Sequence, residues 1–235
     1  MIEELLPESV VAVEAHGDER PGGTTPYPEL YPEEQALISR AVEKRRREFT
    51  VVRGCARHAM EKLGVPPQAV LPGERGAPQW PAGLIGSMTH CEGYAAAALA
   101  RATDLASIGI DAEPHLPLPD NVLASVALPD EDRRLRGLAE RHPGVHWDRL
   151  LFSAKESVYK AWFPLTGKWL DFSEADIDVF MDPGHTTSGG LRARLLVPGP
   201  VVDGRRIGHF DGRWTVRRGL VATAVTVPHA QAAQD

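Results

Sequence analysis

The 235 residues are 43% hydrophobic and 25% charged, which excludes a disordered chain and is enough to bury a substantial core. A net charge of −6 argues against general nucleic-acid binding, and no apolar run reaches the ~18 residues that a membrane helix needs. Two cysteines outside any C-x-x-C pair, and acids where a signal peptide needs positive charge, point to a cytoplasmic protein.

Residues 8–15, "ESVVAVEA", predict a strand, and a Gly/Pro-rich loop follows to about Pro32. From Glu33 to Leu63 the pattern is helical with a break or kink. Its second half keeps Phe49, Val52, Ala56, Ala59, Met60 and Leu63 at core spacing before Gly64 ends it. "GERGAPQWPAG" is a loop by its turn residues. "GLIGSMTH" and "GYAAAALA" are strand-like, though the alanine run fits a helix equally well. "LASIGIDAE" reads as a strand that stops at Pro114, and 117–146 as an irregular stretch with at least one helix. A helix over 151–166 follows, then strands at "DIDVFM", "LRARLLV", "RWTVRRG" and "GLVATAVTV", and a frayed tail over 229–235.

The 151–166 helix poses the chemical question. Leu151, Ala154, Val158, Ala161, Trp162 and Leu165 form one apolar stripe, yet the opposite face carries Phe152, Glu156, Tyr159, Lys160 and Phe163. A Glu–Lys pair one turn apart is ordinary surface chemistry; three aromatics beside it are not. In "SIGIDAE" the period of a strand sends Ile108 and Ile110 to one face and Gly109, Asp111 and Glu113 to the other, with the glycine leaving space above the backbone. Two carboxylates that close repel each other and want a cation between them. A hard divalent ion would take their oxygens and keep positions open for phosphate, although D-x-E is also common on solvated strand ends. "KRRREFTVVRGCAR" supplies Lys44, Arg45, Arg46, Arg47, Arg53 and Arg57, and "GSMTHCEG" offers His90 among small residues. An acidic strand end and an aromatic-flanked Glu/Lys face read as two walls of one cleft for a phosphorylated ligand.

"GIDAE" followed about forty residues later by "FSAKESVYKAW" resembles the two signature motifs of the 4′-phosphopantetheinyl transferases, and "GERGAPQWP" and "GSMTHCEGY" resemble the upstream motifs of their longer, Sfp-like type. The four blocks stand in family order over residues 75–162. The resemblance implies an α+β pseudo-dimer of two similar halves with the active site between them. Residues 1–105 would bind the nucleotide of coenzyme A, 106–228 would carry the metal site and signature helix, and 229–235 would be a flexible tail. It implies transfer of phosphopantetheine from coenzyme A to a serine of an apo acyl or peptidyl carrier protein, with release of 3′,5′-ADP. Asp111, Glu113 and Glu156 match the ligands of Mg²⁺ (or Mn²⁺ in its place), and Lys160 matches the lysine on the pyrophosphate. His90 matches a phosphate contact, and Arg45 and Arg53 the 3′-phosphate contacts, with the neighbouring arginines leaving that register open. Arg75 matches the residue beside the adenine, where the family often has Lys. Lys155 fits the motif too, but stands about 100° around the helix from Glu156. Glu156 acting through a water, or another carboxylate, would take the serine proton. The built-in pseudo-dimer implies a monomer, and neither nucleic acid nor a membrane is expected as a partner.

Other chemistries fit the same residues: a Mg²⁺-dependent coenzyme A or nucleotide pyrophosphohydrolase, or a non-catalytic coenzyme A binder. For the carrier, the expected docking surface is the segment after "GIDAE", with Leu116, Leu118, Val122, Leu123, Val126 and Leu128; the same residues could equally anchor a loop to the core.

Overall fold

Two helices of 20 residues each lay an apolar stripe on an antiparallel sheet, and this arrangement occurs once in each half of the chain. The computed structural model describes residues 1–17 and 29–230, so most of the expected Gly/Pro loop and the last five residues of the tail lie outside the described residues. In chain order come β1 (Val11–His16), α1 (Pro32–Leu37), α2 (Glu43–Lys62), β2 (Leu84–Cys91), β3 (Tyr94–Arg101) and β4 (Leu105–Pro114). They are followed by α3 (Val122–Val126), α4 (Pro129–Arg141), α5 (Trp147–Thr166), β5 (Ala175–Met181) and β6 (Ser188–Leu195). A two-residue hairpin, β7 (Val201–Val202) and β8 (Arg205–Arg206), precedes β9 (His209–Arg217) and β10 (Leu220–Pro228). The expected break in the 33–63 helix falls between α1 and α2, where Arg46 donates to the carbonyls of Ala41 (2.8 Å) and Ser39 (2.6 Å).

The first sheet has the order β1-β3-β2 and the second β4-β10-β9-β6-β5, with every hydrogen-bonded neighbour antiparallel. On the first, α2 buries Val52, Cys55, Ala56 and Met60 against Val13, Ala97 and Leu99. On the second, α5 buries Leu151, Ala154, Val158 and Ala161 among Ile177, Leu191 and Trp214. A third cluster joins the halves: Ala96, Ala98 and Ala100 of β3 pack with Ile108 and Ile110 of β4 and with Ala222 and Ala224 of β10.

The alanine run is therefore strand, not helix. It is the middle strand of its sheet, covered by α2 on one face and by the other half on the other, and only small side chains fit both contacts. Both "GYAAAALA" and "GLVATAVTV" form inner strands, β3 and β10, which explains two continuous apolar runs.

Ile108 and Ile110 face the shared core as the strand period requires. The other face of β4 differs from the reading of open space above Gly109. A β-carbon there would stand 1.9 Å from the carbonyl oxygen of Ser157 and 2.7 Å from the amide nitrogen of Ala161. The missing side chain is filled by the backbone of α5, which crosses β4 at this point and brings Glu156 and Lys160 next to the acidic strand end.

The segment after "GIDAE" divides between its two readings. Leu118 and Val126 are buried, and Val122, Leu123 and Ala127 pack against the α5 core. Leu116 is 60% exposed. Most of this segment is an anchor. No helix among the described residues is long and apolar enough to cross a membrane.

Candidate active site

A cavity of about 800 Å³ opens between α2 and β2 on one side and α5 on the other. Arg45, Arg53, Arg75 and His90 line it from the first half, and Glu156, Tyr159, Lys160 and Phe163 from the second. The helical period thus turns the unusual face of α5 into a cavity wall. Phe152 is the exception: it lies off the lining, its ring 6.1 Å from that of Phe172.

Lys160 and Asp111 are brought together. The Lys160 ammonium donates to Asp111 Oδ1 at 2.8 Å and to the carbonyl of Ile110 at 3.0 Å. Asp111 Oδ1 also accepts from Thr89 Oγ1 at 3.3 Å, while Oδ2 is buried without a hydrogen-bond partner. The Glu156 carboxylate takes no hydrogen bond from any described residue. Burial raises its carboxyl above the usual range, Lys160 opposes that shift, and Asp111 adds to it. Glu113 is shifted the same way by burial and by Asp111, against the pull of Arg149. Arg149 holds Glu113 at 3.0 Å.

A buried carboxylate oxygen without a donor is costly, and two crowded acids with raised proton affinity lack positive charge. The residues therefore fit a divalent cation, with Asp111 Oδ2 and the Glu156 carboxylate unpaired and Glu113 engaged by Arg149. Among the described residues, no three His, Cys, Asp or Glu side chains already converge on one metal position.

On the opposite wall, Arg45 Nη1 lies 2.9 Å from His90 Nε2, and Glu48 Oε2 lies 3.7 Å from the same nitrogen. Burial and then Arg45 push the His90 imidazole below its ordinary value, so at neutral pH it accepts from Arg45. Arg53 is deeper. Its Nε donates to the carbonyl of Val70 at 3.1 Å, and Glu34, fully buried, stands 3.7 Å away. Burial, countered by Glu34, brings Arg53 down to about 10, which leaves it charged at neutral pH.

Residues 33–100 match the profile of the 4′-phosphopantetheinyl transferase N-terminal domain, and residues 107–193 that of the 4′-phosphopantetheinyl transferase superfamily. The chain is 58% identical to the 4′-phosphopantetheinyl transferase Svp of Streptomyces mobaraensis, over 97% of this chain and 89% of that one. The chain belongs to the 4′-phosphopantetheinyl transferase superfamily. It is also 48% identical to the transferase Npt of Nocardia iowensis, over 96% of this chain and 99% of that one. With PptT of Mycobacterium tuberculosis the identity is 46%, over 94% and 93%. The two tandem matches agree with the pseudo-dimeric α+β fold that the motifs implied.

In this phosphopantetheinyl transferase, Lys155 stands apart from the cavity despite its place in the signature helix. Its ammonium donates to the carbonyls of Phe172 and Ala175, both at 2.6 Å, and pairs with the fully buried Glu131 at 2.9 Å. A side chain so enclosed cannot reach a ligand. Arg75 has a left-handed backbone (φ 52°) and lies 5.6 Å over the Trp169 ring, whose partner is Tyr159 at 4.9 Å. Trp169, Glu48 and Thr89 were not singled out from the sequence. Glu48 follows Arg45 by three helical positions, a signal the charge run obscured. Thr89 and Ser87 alternate on one strand face, visible only once β2 is known to border β4.

Proposed function

We propose that this chain transfers 4′-phosphopantetheine from coenzyme A to a serine of an apo carrier protein, releasing 3′,5′-ADP, with Asp111, Glu156 and Lys160 as the reacting edge. One observation carries the assignment: a single cavity has Glu156 and Lys160, the latter paired with Asp111 behind it, at one wall and Arg45, Arg53 and His90 at the other. The cationic wall suits the phosphates of the nucleotide, with Arg45 and Arg53 on the 3′-phosphate, His90 on a neighbouring phosphate and Arg75 beside the adenine. Asp111 and Glu156 would hold Mg²⁺, with Glu113 joining if it leaves Arg149, and the ion would neutralise charge on the pyrophosphate. Lys160 adds a fixed charge that strengthens its interaction as the pyrophosphate bond breaks and negative charge collects on the departing 3′,5′-ADP. The serine oxygen forms the new phosphoester bond, and its proton leaves to a carboxylate at this edge, directly or through water. We divide the chain near residue 105. Both walls come from one chain, which supports action as a monomer, and we assign it to the cytoplasm.

Incubation with coenzyme A, Mg²⁺ and an apo-carrier, followed by mass spectrometry of the carrier, tests the reading. Gain of a phosphopantetheine mass with equimolar 3′,5′-ADP supports it. Hydrolysis of coenzyme A with the carrier unchanged overturns it in favour of a pyrophosphohydrolase, and binding without turnover overturns it in favour of a binder. Lys160→Ala should lower kcat far more than coenzyme A affinity, because its partner charge grows during the reaction.

A further inference from the structure

β2 and β4 run side by side at the border of the two sheets, yet no backbone ladder joins them. Two hydroxyls take its place. Ser87 Oγ accepts the Ile110 N–H and Thr89 Oγ1 accepts the Ala112 N–H, both at 3.1 Å. Both side chains are buried, 3% exposed each. The spacing of two on each strand repeats the same contact one pleat further along. The two contacts differ in one respect. A hydroxyl has one proton, and at Thr89 that proton points to Asp111 Oδ1 at 3.3 Å. Lys160 takes the same oxygen, so both donors hold Oδ1 and leave Oδ2, buried and without a partner, as the free oxygen.

We propose that Thr89 is a positioning residue: by donating to Asp111 Oδ1 across the seam between the halves, it fixes the carboxylate so that Oδ2 faces the divalent cation. The inference rests on the reading that Asp111 holds that cation. Its contribution is orientation, since a carboxylate held by a donor on one oxygen pays less to order when the ion binds. It also couples the halves, because the group that aligns the acid of the second half belongs to a strand of the first.

Ser87 supplies the internal comparison. Ser87→Ala and Thr89→Val each strip one seam N–H of its acceptor, so both should lower the melting temperature by similar amounts. Only Thr89→Val removes a donor from Asp111. The readout is Mn²⁺ binding by electron paramagnetic resonance in the presence of coenzyme A, with the half-saturating Mg²⁺ concentration for transfer measured alongside. Thr89→Val should weaken Mn²⁺ binding about 10-fold and raise half-saturating Mg²⁺ in parallel. Thr89→Ser, which keeps the hydroxyl, should restore both, and Ser87→Ala should leave both near the wild-type value. Asp111→Asn separates the two levels of the argument. If it abolishes Mn²⁺ binding while Thr89→Val binds like wild type, Thr89 does not position the ligand and only this inference falls. If Ser87→Ala weakens the ion as much as Thr89→Val, the effect is seam stability and the inference also falls. If Asp111→Asn binds Mn²⁺ normally, the cation reading and the inference fall together.

Discussion

Gly109→Ala should damage the protein out of proportion to one methyl group. The new β-carbon would fall 1.9 Å from the Ser157 oxygen and 2.7 Å from the Ala161 nitrogen, where ordinary contact begins at 3.4 Å. The helix must then retreat from β4 by about 1.5 Å. Both obstructing atoms are helix backbone, so no side chain can swing aside to absorb the clash. Overpacking of a filled core costs about 1–3 kcal/mol and sometimes more, and a rigid obstacle belongs at the upper end. For a chain of this size about 3 kcal/mol corresponds to a drop of roughly 6–12 °C in Tm. The same retreat pulls the Lys160 ammonium from Asp111, now 2.8 Å away. A displacement of this order at a reacting group costs about 100-fold in rate. Calorimetry and carrier modification at a temperature where the variant is still folded would measure both losses. Gly137→Ala is the control. In α4 its new β-carbon meets only the tip of Arg141 at 3.7 Å, and replacing a helical glycine there should stabilise by about 0.5–1 kcal/mol. A Gly109→Ala protein that melts within about 2 °C of wild type and transfers at full rate would refute the close-crossing argument.

Lys155→Met strands the fully buried Glu131 carboxylate and should cost about 3–5 kcal/mol in urea unfolding. Its folded fraction should keep wild-type coenzyme A affinity by calorimetry, because Lys155 does not line the candidate active-site cavity. Arg45→Ala should raise KM for coenzyme A with kcat nearly kept. If the guanidinium reads the 3′-phosphate, the variant should lose little more when dephospho-coenzyme A is the substrate, and an equal loss with both would remove it from that role. Asp176 gives a pH-dependent case. Burial works against it, but hydrogen bonds from Arg194 (2.7 Å) and Arg134 hold its carboxyl below the usual aspartate range. A lowered folded pKa stabilises above the unfolded value of about 3.9 and is lost as pH falls through the folded value. The Tm gap between wild type and Asp176→Asn should therefore be full at pH 6 and close progressively below about pH 4. A gap that widens in acid would contradict the ion-pair account.

Much of the local order was legible because it depends on period. The stripe Leu151–Ala154–Val158–Ala161 and the alternation of Ile108 and Ile110 each bury the face that their spacing predicts. Gly64 and Pro114 mark element ends within a residue or two. The alanine run was ambiguous because its residue type favours helix, and only the layers above and below β3 decide for strand. Lys155 was misleading for a related reason. Its motif is local, but its partner Glu131 lies on α4, and a pairing across 24 positions leaves no periodic trace. Arg53 shows the same limit: its charge could be read, but its attachment to Val70 and Glu34 depends on how α1 folds back onto α2. Gly109 carried a correct signal with the wrong occupant, since sequence can announce a close approach without saying what approaches.

The core between the halves has a mechanical consequence. On the β3 side its surface is the Tyr94 ring followed by a row of methyl groups, Ala96, Ala98 and Ala100, against the larger Ile108 and Ile110 of β4. A row of methyls offers shallow holes for those knobs, so sliding one sheet along the other changes little buried apolar area. Directional contacts add resistance to shear, and the Ser87 and Thr89 hydroxyls are two such pegs at this border. Hydrophobic burial glues the halves together, while polar pegs set how far one slides on the other and hence how wide the cavity stands.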